Sequence, residues 1–387
     1  MAVSVKGDTA RAFVLAKQGL SQAGPQDVVG VVEATAGVYG TAPTCYLSCA
    51  ARLEGFRVGD LDAELYERRS LVRLRCMRGS AYIEPAAALP EVFAATREEK
   101  ALERVVKAAG ISAAEYERLA ERIDATLAGR PPATVAEIRG LLGEDAPKAL
   151  NYVVALMGRQ GRLARAEVRG GWKSDVYAYA RWEEWVGAPL GEVDPAAARA
   201  ALARRYLRAF GPATADDLRW WAGWKVADTR AALAALGDEA APVELDGAEA
   251  LVLADEVDAL AAADPAAAAG VRLLPVWDAY FMGYRDRSRQ VRDDDYANVY
   301  DKAGNATSVV IEGGLAAGVW ELDELTVRVA AFRRASKGFW DGVEAAARRI
   351  GAMLGEDGVR VERARRPGPL AGGARNAFLA PIRLGPA

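Results

Sequence analysis

The chain has 387 residues, 51% of them hydrophobic and 27% charged, with a formal net charge of −3 and no histidine. That length accommodates roughly two to four compact units with a sizeable core, and the composition excludes disordered and fibrous proteins. The lack of histidine removes every Ser-His-Asp or Cys-His nucleophile and the commonest zinc ligand, leaving carboxylates, hydroxyls, amides, Lys and Arg for any chemistry.

The amino terminus, Met1 to Asp8, carries no signal-peptide core. No apolar run approaches the roughly 18 residues of a membrane helix, so a cytoplasmic location is expected. Asp8 is expected to cap a helix through Leu20, and a second helix covers Gln26 to Ala36 with its valines inward. The segment Gly37 to Pro43 reads as a break, and Pro43 suits the first turn of a helix through Arg52. A short helix over Asp60 to Arg69 precedes a hairpin, Leu71 to Met77 and Ala81 to Ile83, with its turn at Arg78-Gly79-Ser80. Helices followed by a basic hairpin form the layout of a winged helix.

The layout recurs. Residues Glu98 to Leu127 read as helical, and Gly129 to Pro132 as a linker. Thr134 caps a helix to Leu142, another runs from Pro147 to Met157, and a hairpin is expected over Gly161 to Trp185. A third round has helices from Asp194 to Phe210, Ala215 to Trp221 and Lys225 to Leu236. An acidic hairpin turning at Asp246-Gly247 follows, expected to be structural or to face another domain. Ala259 to Ala269 is helical or linking. Strands are expected over Leu273 to Phe281, Ser308 to Ile311, Gly318 to Leu322 and Leu325 to Phe332, then a helix over Asp341 to Leu354 and an extended tail from Arg360 to Arg375.

The expected fold class is therefore α+β: three tandem winged-helix units followed by a β-rich mixed domain. The expected boundaries are 1–130 for the first unit with a helical extension, 131–187 and 188–257 for the next two, and 258–387 for the last, with a small barrel-like sheet.

Charge is uneven. Arg68 to Arg78 contains Arg68, Arg69, Arg73, Arg75 and Arg78 and no acid. Arg159 to Lys173 contains Arg159, Arg162, Arg165, Arg169 and Lys173 against Glu167 alone. Two basic segments in a mildly acidic protein read either as a footprint on DNA or as two solvated hairpins. The residues placed on duplex DNA are Arg73, Arg75, Arg78, Arg162, Arg165, Arg169 and Lys173. Trp172, at the expected tip of the second hairpin, joins them as a groove contact or a surface-packing residue. Cys45 and Cys49, four apart, read as small buried hydrophobes rather than a metal or redox pair. No nucleotide fingerprint or cofactor motif is present, so no cofactor or metal is expected.

Three segments carry a resemblance. They are GVYGTAPTCYLSCAARL from Gly37 with MRGSAYIEP from Met77, then GPATADDLRWWAGW from Gly211, and LLPVWDAYFMGYRDR from Leu273. In order and spacing they resemble the winged-helix DNA-binding family that includes the AlkZ and YcaQ DNA glycosylases. The resemblance implies a DNA channel, and excision of alkylated or crosslinked purines. Family glycosylases carry a Gln-x-Gln or Gln-x-Asp pair before the Pro-containing helix; the matching positions here are Tyr39 and Thr41. Both expected side chains are replaced, so two functions stand side by side: a glycosylase with an altered site at Tyr39 and Thr41, or a non-catalytic DNA binder such as a lesion sensor or regulator. Asp278 reads as a channel carboxylate or, more simply, as a strand-fixing hydrogen-bond acceptor. Trp220, Trp221 and Trp224 read as packing rather than base-stacking residues. A monomer acting on double-stranded DNA is expected.

Overall fold

The computed structural model describes residues 3–21, 24–97, 101–365, 368–370, 376–377 and 382–384. Strand β1 (Val3–Val5) leads into helix α1 (Gly7–Lys17), whose N-cap is Lys6; Asp8 lies inside the first turn, where a carboxylate favours the helix dipole. Helix α2 (Val28–Ala34) begins where the Asp27 carboxylate accepts from the Gly30 N–H at 2.7 Å. Its buried Val28, Val31 and Val32 fall on one face by their three- and four-residue spacing.

The expected break after Gly37 contains a short strand, β2 (Val38–Tyr39). Helix α3 (Thr44–Arg52) follows and is buried along its whole length. Helix α4 (Val58–Asp62) then leads to the hairpin of β3 (Leu71–Arg75) and β4 (Ala81–Pro85). Strand β2 pairs antiparallel with β4, giving the sheet order β2-β4-β3.

Helix α5 (Leu89–Thr96) leads out of this unit. The helix expected over residues 98–127 is two helices, α6 (Ala101–Ala109) and α7 (Ala113–Leu127), and residues 98–100 lie outside the described ones. Gly110, at φ +66°, ends the first; the Ser112–Glu115 capping box starts the second. Strand β5 (Ala133–Thr134) precedes α8 (Val135–Leu142), which the Thr134–Glu137 box caps, and α9 (Leu150–Arg159) follows. The hairpin of β6 (Leu163–Arg169) and β7 (Val176–Arg181) completes a sheet of order β5-β7-β6. The hairpin expected to span residues to Trp185 ends instead in a short helix, α10 (Trp182–Val186). Both Trp182 and Trp185 are buried, and a helical turn puts residues three apart on one face where a strand would split them.

Helix α11 (Pro195–Phe210) is capped by Asp194, and α12 (Ala215–Ala222) by the Thr214–Asp217 box. Helix α13 (Val226–Ala234) leads to β8 (Ala240–Leu245) and β9 (Ala248–Leu253). Asp246 and Gly247 both turn with positive φ, the geometry that a tight hairpin requires. Strand β1 pairs in parallel with β8, Val3 opposite Val243, so the acidic hairpin is covered on one edge by the amino terminus. An exposed strand edge is thereby removed.

After α14 (Val257–Ala261) comes β10 (Val271–Leu274). The strand expected to continue to Phe281 stops there. Pro275 lacks an N–H, Trp277 has a φ of 60°, and Asp278 caps the one-turn helix α15 (Ala279–Met282). Helix α16 (Asp293–Val299), not expected from the sequence, follows. Strands β11 (Val309–Glu312), β12 (Leu315–Asp323) and β13 (Thr326–Ala331), helix α17 (Lys337–Leu354) and strand β14 (Arg360–Arg363) close the chain. The expected extended tail is thus a strand in its first part; residues 366–367 and 371–375 lie outside the described residues. The five-stranded sheet runs β10-β11-β12-β13-β14. Its edge strands do not pair with each other among the described residues, so it is open where a small barrel-like sheet was expected.

The molecule is a mixed α+β fold with four small sheets. Its units share cores. Helices α5 and α11 pack together in a cluster with Tyr206, Phe210 and Trp221. A second cluster joins α3 to Phe339, Val343 and Ile350 of α17 across Val271 and Leu273 of β10. Burying each such side chain contributes about 1.5–3 kcal/mol, so these seams hold the units in fixed relation. Among the described residues no helix is long and apolar enough to cross a membrane.

A candidate cleft between the first two hairpins

Strand β2 sets Tyr39 opposite Tyr82 of β4, and the Gly40 N–H donates to the Ala81 carbonyl at 2.8 Å. A Cβ at Gly40 would come 3.1 Å from the Tyr82 carbonyl carbon, so the residue between Tyr39 and Thr41 is held tight against the hairpin. The Tyr39 ring is wedged between Tyr82, at 5.2 Å, and Trp277, at 4.3 Å between centroids. Burial raises the pKa of its phenol, against the opposing pull of Ser80 and of Arg78 and Arg75, so Tyr39 is a neutral hydroxyl. The Thr41 carbonyl accepts from the Cys45 N–H at 3.1 Å, so it is the backbone of Thr41 that starts α3. Its side-chain Oγ1 is buried and has no hydrogen-bond partner among the described residues.

Tyr39 and Thr41 line one cleft of about 750 Å³. Arg75 and Gly79 to Ala81 form its wall on the first hairpin, and Arg165 with Asp175 to Tyr177 and Tyr179 its wall on the second. Thr134 and Asn151 line another side, and Trp277, between β10 and α15, lines the cleft as well. Burial and the neighbouring guanidiniums of Arg165 and Arg159 push Arg75 down to about 10. Crowded cations of this kind are what a phosphate relieves.

The other sequence-predicted residues divide. Arg73 is a correction. It is 3% exposed, its Nε donates to the Gly40 carbonyl at 3.1 Å and its Nη1 to the Tyr66 hydroxyl at 2.8 Å. Strand β3 is buried on both of its faces from Leu71 to Leu74, so the Arg73 side chain lies inside the protein and not on its surface. Arg78 is exposed and stacks at 4.0 Å on Trp220. Arg165 lies 4.5 Å over the Tyr177 ring at the cleft. Arg162 is already paired with Glu117 at 2.9 Å, and Arg169 with Glu167 at 2.8 Å. Lys173 is exposed, its ammonium 5.1 Å from the Trp172 ring. Trp172 is half-buried rather than free at a tip: its ring meets Tyr46 of α3 edge-on at 6.3 Å.

Two expectations about packing can be read directly. Asp278 is fully buried, held by both Arg52 Nη atoms at 2.8 Å, by Ser48 Oγ at 2.8 Å and by the Tyr280 N–H at 3.0 Å. It is spent on these bonds and fixes α3 to the start of α15. Trp221 is buried against Tyr206, the Trp224 indole donates to the Ala95 carbonyl, and Trp220 is held between Arg78 and Arg287. Cys45, Cys49 and Cys76 are free and buried, and no group of residues that would hold a metal ion occurs among the described residues.

Sequence reasoning missed Asp175, Asn151, Tyr177 and Trp277 as cleft residues. The alternation through Asp175, Tyr177 and Tyr179 is visible in the sequence, but which face meets the first unit depends on docking between units.

The profile of the family described as DNA glycosylase AlkZ-like matches residues 27–353, and the chain belongs to that family. An interstrand DNA cross-link repair glycosylase of Streptomyces sahachiroi is 30% identical over 151 residues, which cover 38% of this chain and 40% of that relative. The solved structure of Streptomyces sahachiroi DNA glycosylase AlkZ is similar with a TM-score of 0.78 at 22% identity, covering 93% of this chain and 100% of that one. That likeness shows the fold.

Proposed function

We propose that the chain is a monomeric, cofactor-free glycosylase that binds double-stranded DNA and excises alkylated or crosslinked purines carrying positive charge. The three helix–hairpin units, 1–130, 131–187 and 188–257, are read as winged helices, with 258–387 as the domain that backs the cleft. The observation that carries the reading is the Thr41 hydroxyl. It is buried without a partner among the described residues, on a residue that matches the family's site position and lines the cleft flanked by Arg75 and Arg165.

Phosphates run along Arg75, Arg78, Arg165 and Lys173, with Arg162 and Arg169 at the outer margin. A purine alkylated at N7 already carries the charge that drives its departure. The protein then needs to position water and stabilise an oxocarbenium-like sugar, without protonating the base. Tyr39, neutral and wedged, walls the site. Neutral lesions such as uracil have no acid placed to help them leave and stay uncut.

The second reading, a non-catalytic lesion sensor or regulator, is favoured by one observation: neither Tyr39 nor Thr41 is the Gln of the glycosylase motif. Incubation with duplexes carrying 7-methylguanine or an interstrand crosslink, scored for abasic sites, separates the two. Binding without abasic sites selects the sensor.

A further inference from the structure

Among the described residues that line the cleft, Asp175 is the one carboxylate. It is exposed and makes no hydrogen bond or ion pair with any described residue. Its position is fixed from both sides. Two residues on, the Tyr177 hydroxyl donates to the Gly40 carbonyl at 3.2 Å. Three residues back, Trp172 rests edge-on against Tyr46 of α3. The stretch of hairpin carrying Asp175 is therefore pinned over the segment from Gly40 to the start of α3. Asp175 immediately precedes β7, and it lines the cleft together with Val176 and Tyr177. The charged and titratable groups around it in the cleft are Arg165 on β6, Arg75 on β3, Tyr39 on β2, and Tyr177 and Tyr179 on β7.

We infer that Asp175 is the catalytic carboxylate of this cleft, holding together with Thr41 the water that attacks the sugar. The inference rests on the glycosylase reading above. The other candidates are unsuited. Tyr39 is neutral, Thr41 and Asn151 are weak bases, and the arginines are cations. Asp278 and Glu84 are buried and engaged by Arg52 and Arg205. A carboxylate supplies what the missing Gln pair does not: a proton acceptor and a negative charge beside the sugar cation.

In the step, the water oxygen forms a bond to C1′ while the bond from C1′ to the purine N9 breaks. The electron pair goes to N9 and neutralises the cationic base. The water proton passes to Asp175 and then to solvent, leaving an abasic sugar and a neutral alkylpurine. No other reactant is needed.

The test uses the full chain with Asp175→Asn in single turnover on a 7-methylguanine duplex, with affinity and thermal stability measured alongside. The expected result is a rate reduced on the order of 100-fold, a Kd unchanged or tighter, and unchanged stability. Asp175→Glu retains part of the rate. A variant with the native rate overturns the assignment while leaving the glycosylase reading standing. A Kd weakened in proportion to the rate also overturns it, because Asp175 then acts in binding. A native protein that binds the duplex but forms no abasic sites overturns the glycosylase reading and this inference with it.

Discussion

The hydroxyl of Tyr177 on the second hairpin donates to the carbonyl of Gly40 at 3.2 Å, and the Nε of Arg73 on the first hairpin donates to the same oxygen at 3.1 Å. One carbonyl, between Tyr39 and Thr41, thus ties two hairpins to the segment that precedes α3. Both flanking side chains then line the cleft between the hairpins. Tyr177→Phe removes one of the two donors and leaves the other. Stability should fall by about 1 kcal/mol, while abasic-site formation falls more steeply because the second hairpin is no longer registered on the site. Urea unfolding alongside single-turnover kinetics reads both; loss of neither would show that the hairpin is placed by other contacts.

Arg73 and Arg165 lie one in each of the two basic segments of the sequence and should respond oppositely. Arg73→Ala removes a buried side chain and should destabilise the fold by about 2–4 kcal/mol with no change in the salt dependence of DNA binding. Arg165→Ala should leave the melting temperature nearly unchanged and lower the slope of log affinity against log salt by about 1. Arg162→Ala should flatten the slope less, since Glu117 already neutralises that guanidinium. Equal effects of all three on the slope would place the DNA elsewhere.

Thr41→Val tests the hydroxyl without changing its shape. Thr41 Oγ1 has no partner among the described residues, so its loss should leave stability equal or slightly higher. Abasic-site formation should nonetheless fall if that atom holds the attacking water. A stable variant with full activity removes Thr41 from the site.

Lys17 gives a pH signature away from the cleft. Burial lowers its pKa from 10.5 to about 8 in spite of its 3.1 Å pair with Glu256. Between those two values the unfolded chain binds the proton that the folded chain has released, so this residue's contribution to stability rises with pH across that window. Below about 8 both states hold the proton and the contribution is flat at its least favourable. Lys17→Met should lack the rise, as read from urea midpoints across alkaline pH.

Much of the architecture was legible because local chemistry repeats. Thr134 and Glu137, Thr214 and Asp217, and Asp194 before Pro195 announce their helices through caps, and Asp246-Gly247 announces its turn. The Tyr39–Thr41 pair was legible only through resemblance. What sequence alone did not reveal are relations between units. The burial of Arg73 depends on Tyr66 and Tyr177, and the docking of Trp172 depends on Tyr46, each from a different segment. The pairing of β1 with β8 spans some 240 residues, and no local pattern records it. Asp175 belongs to the same class: an unremarkable loop carboxylate until the second hairpin is laid over Gly40.

The central claim is that this cleft cuts the glycosidic bond of cationic purines alone. It is tested most directly by measuring abasic-site formation by the native chain on matched duplexes, one carrying 7-methylguanine and the other uracil. The account predicts abasic sites from the first and none above background from the second. Robust uracil excision, or binding of the 7-methylguanine duplex with no cleavage at all, would contradict it.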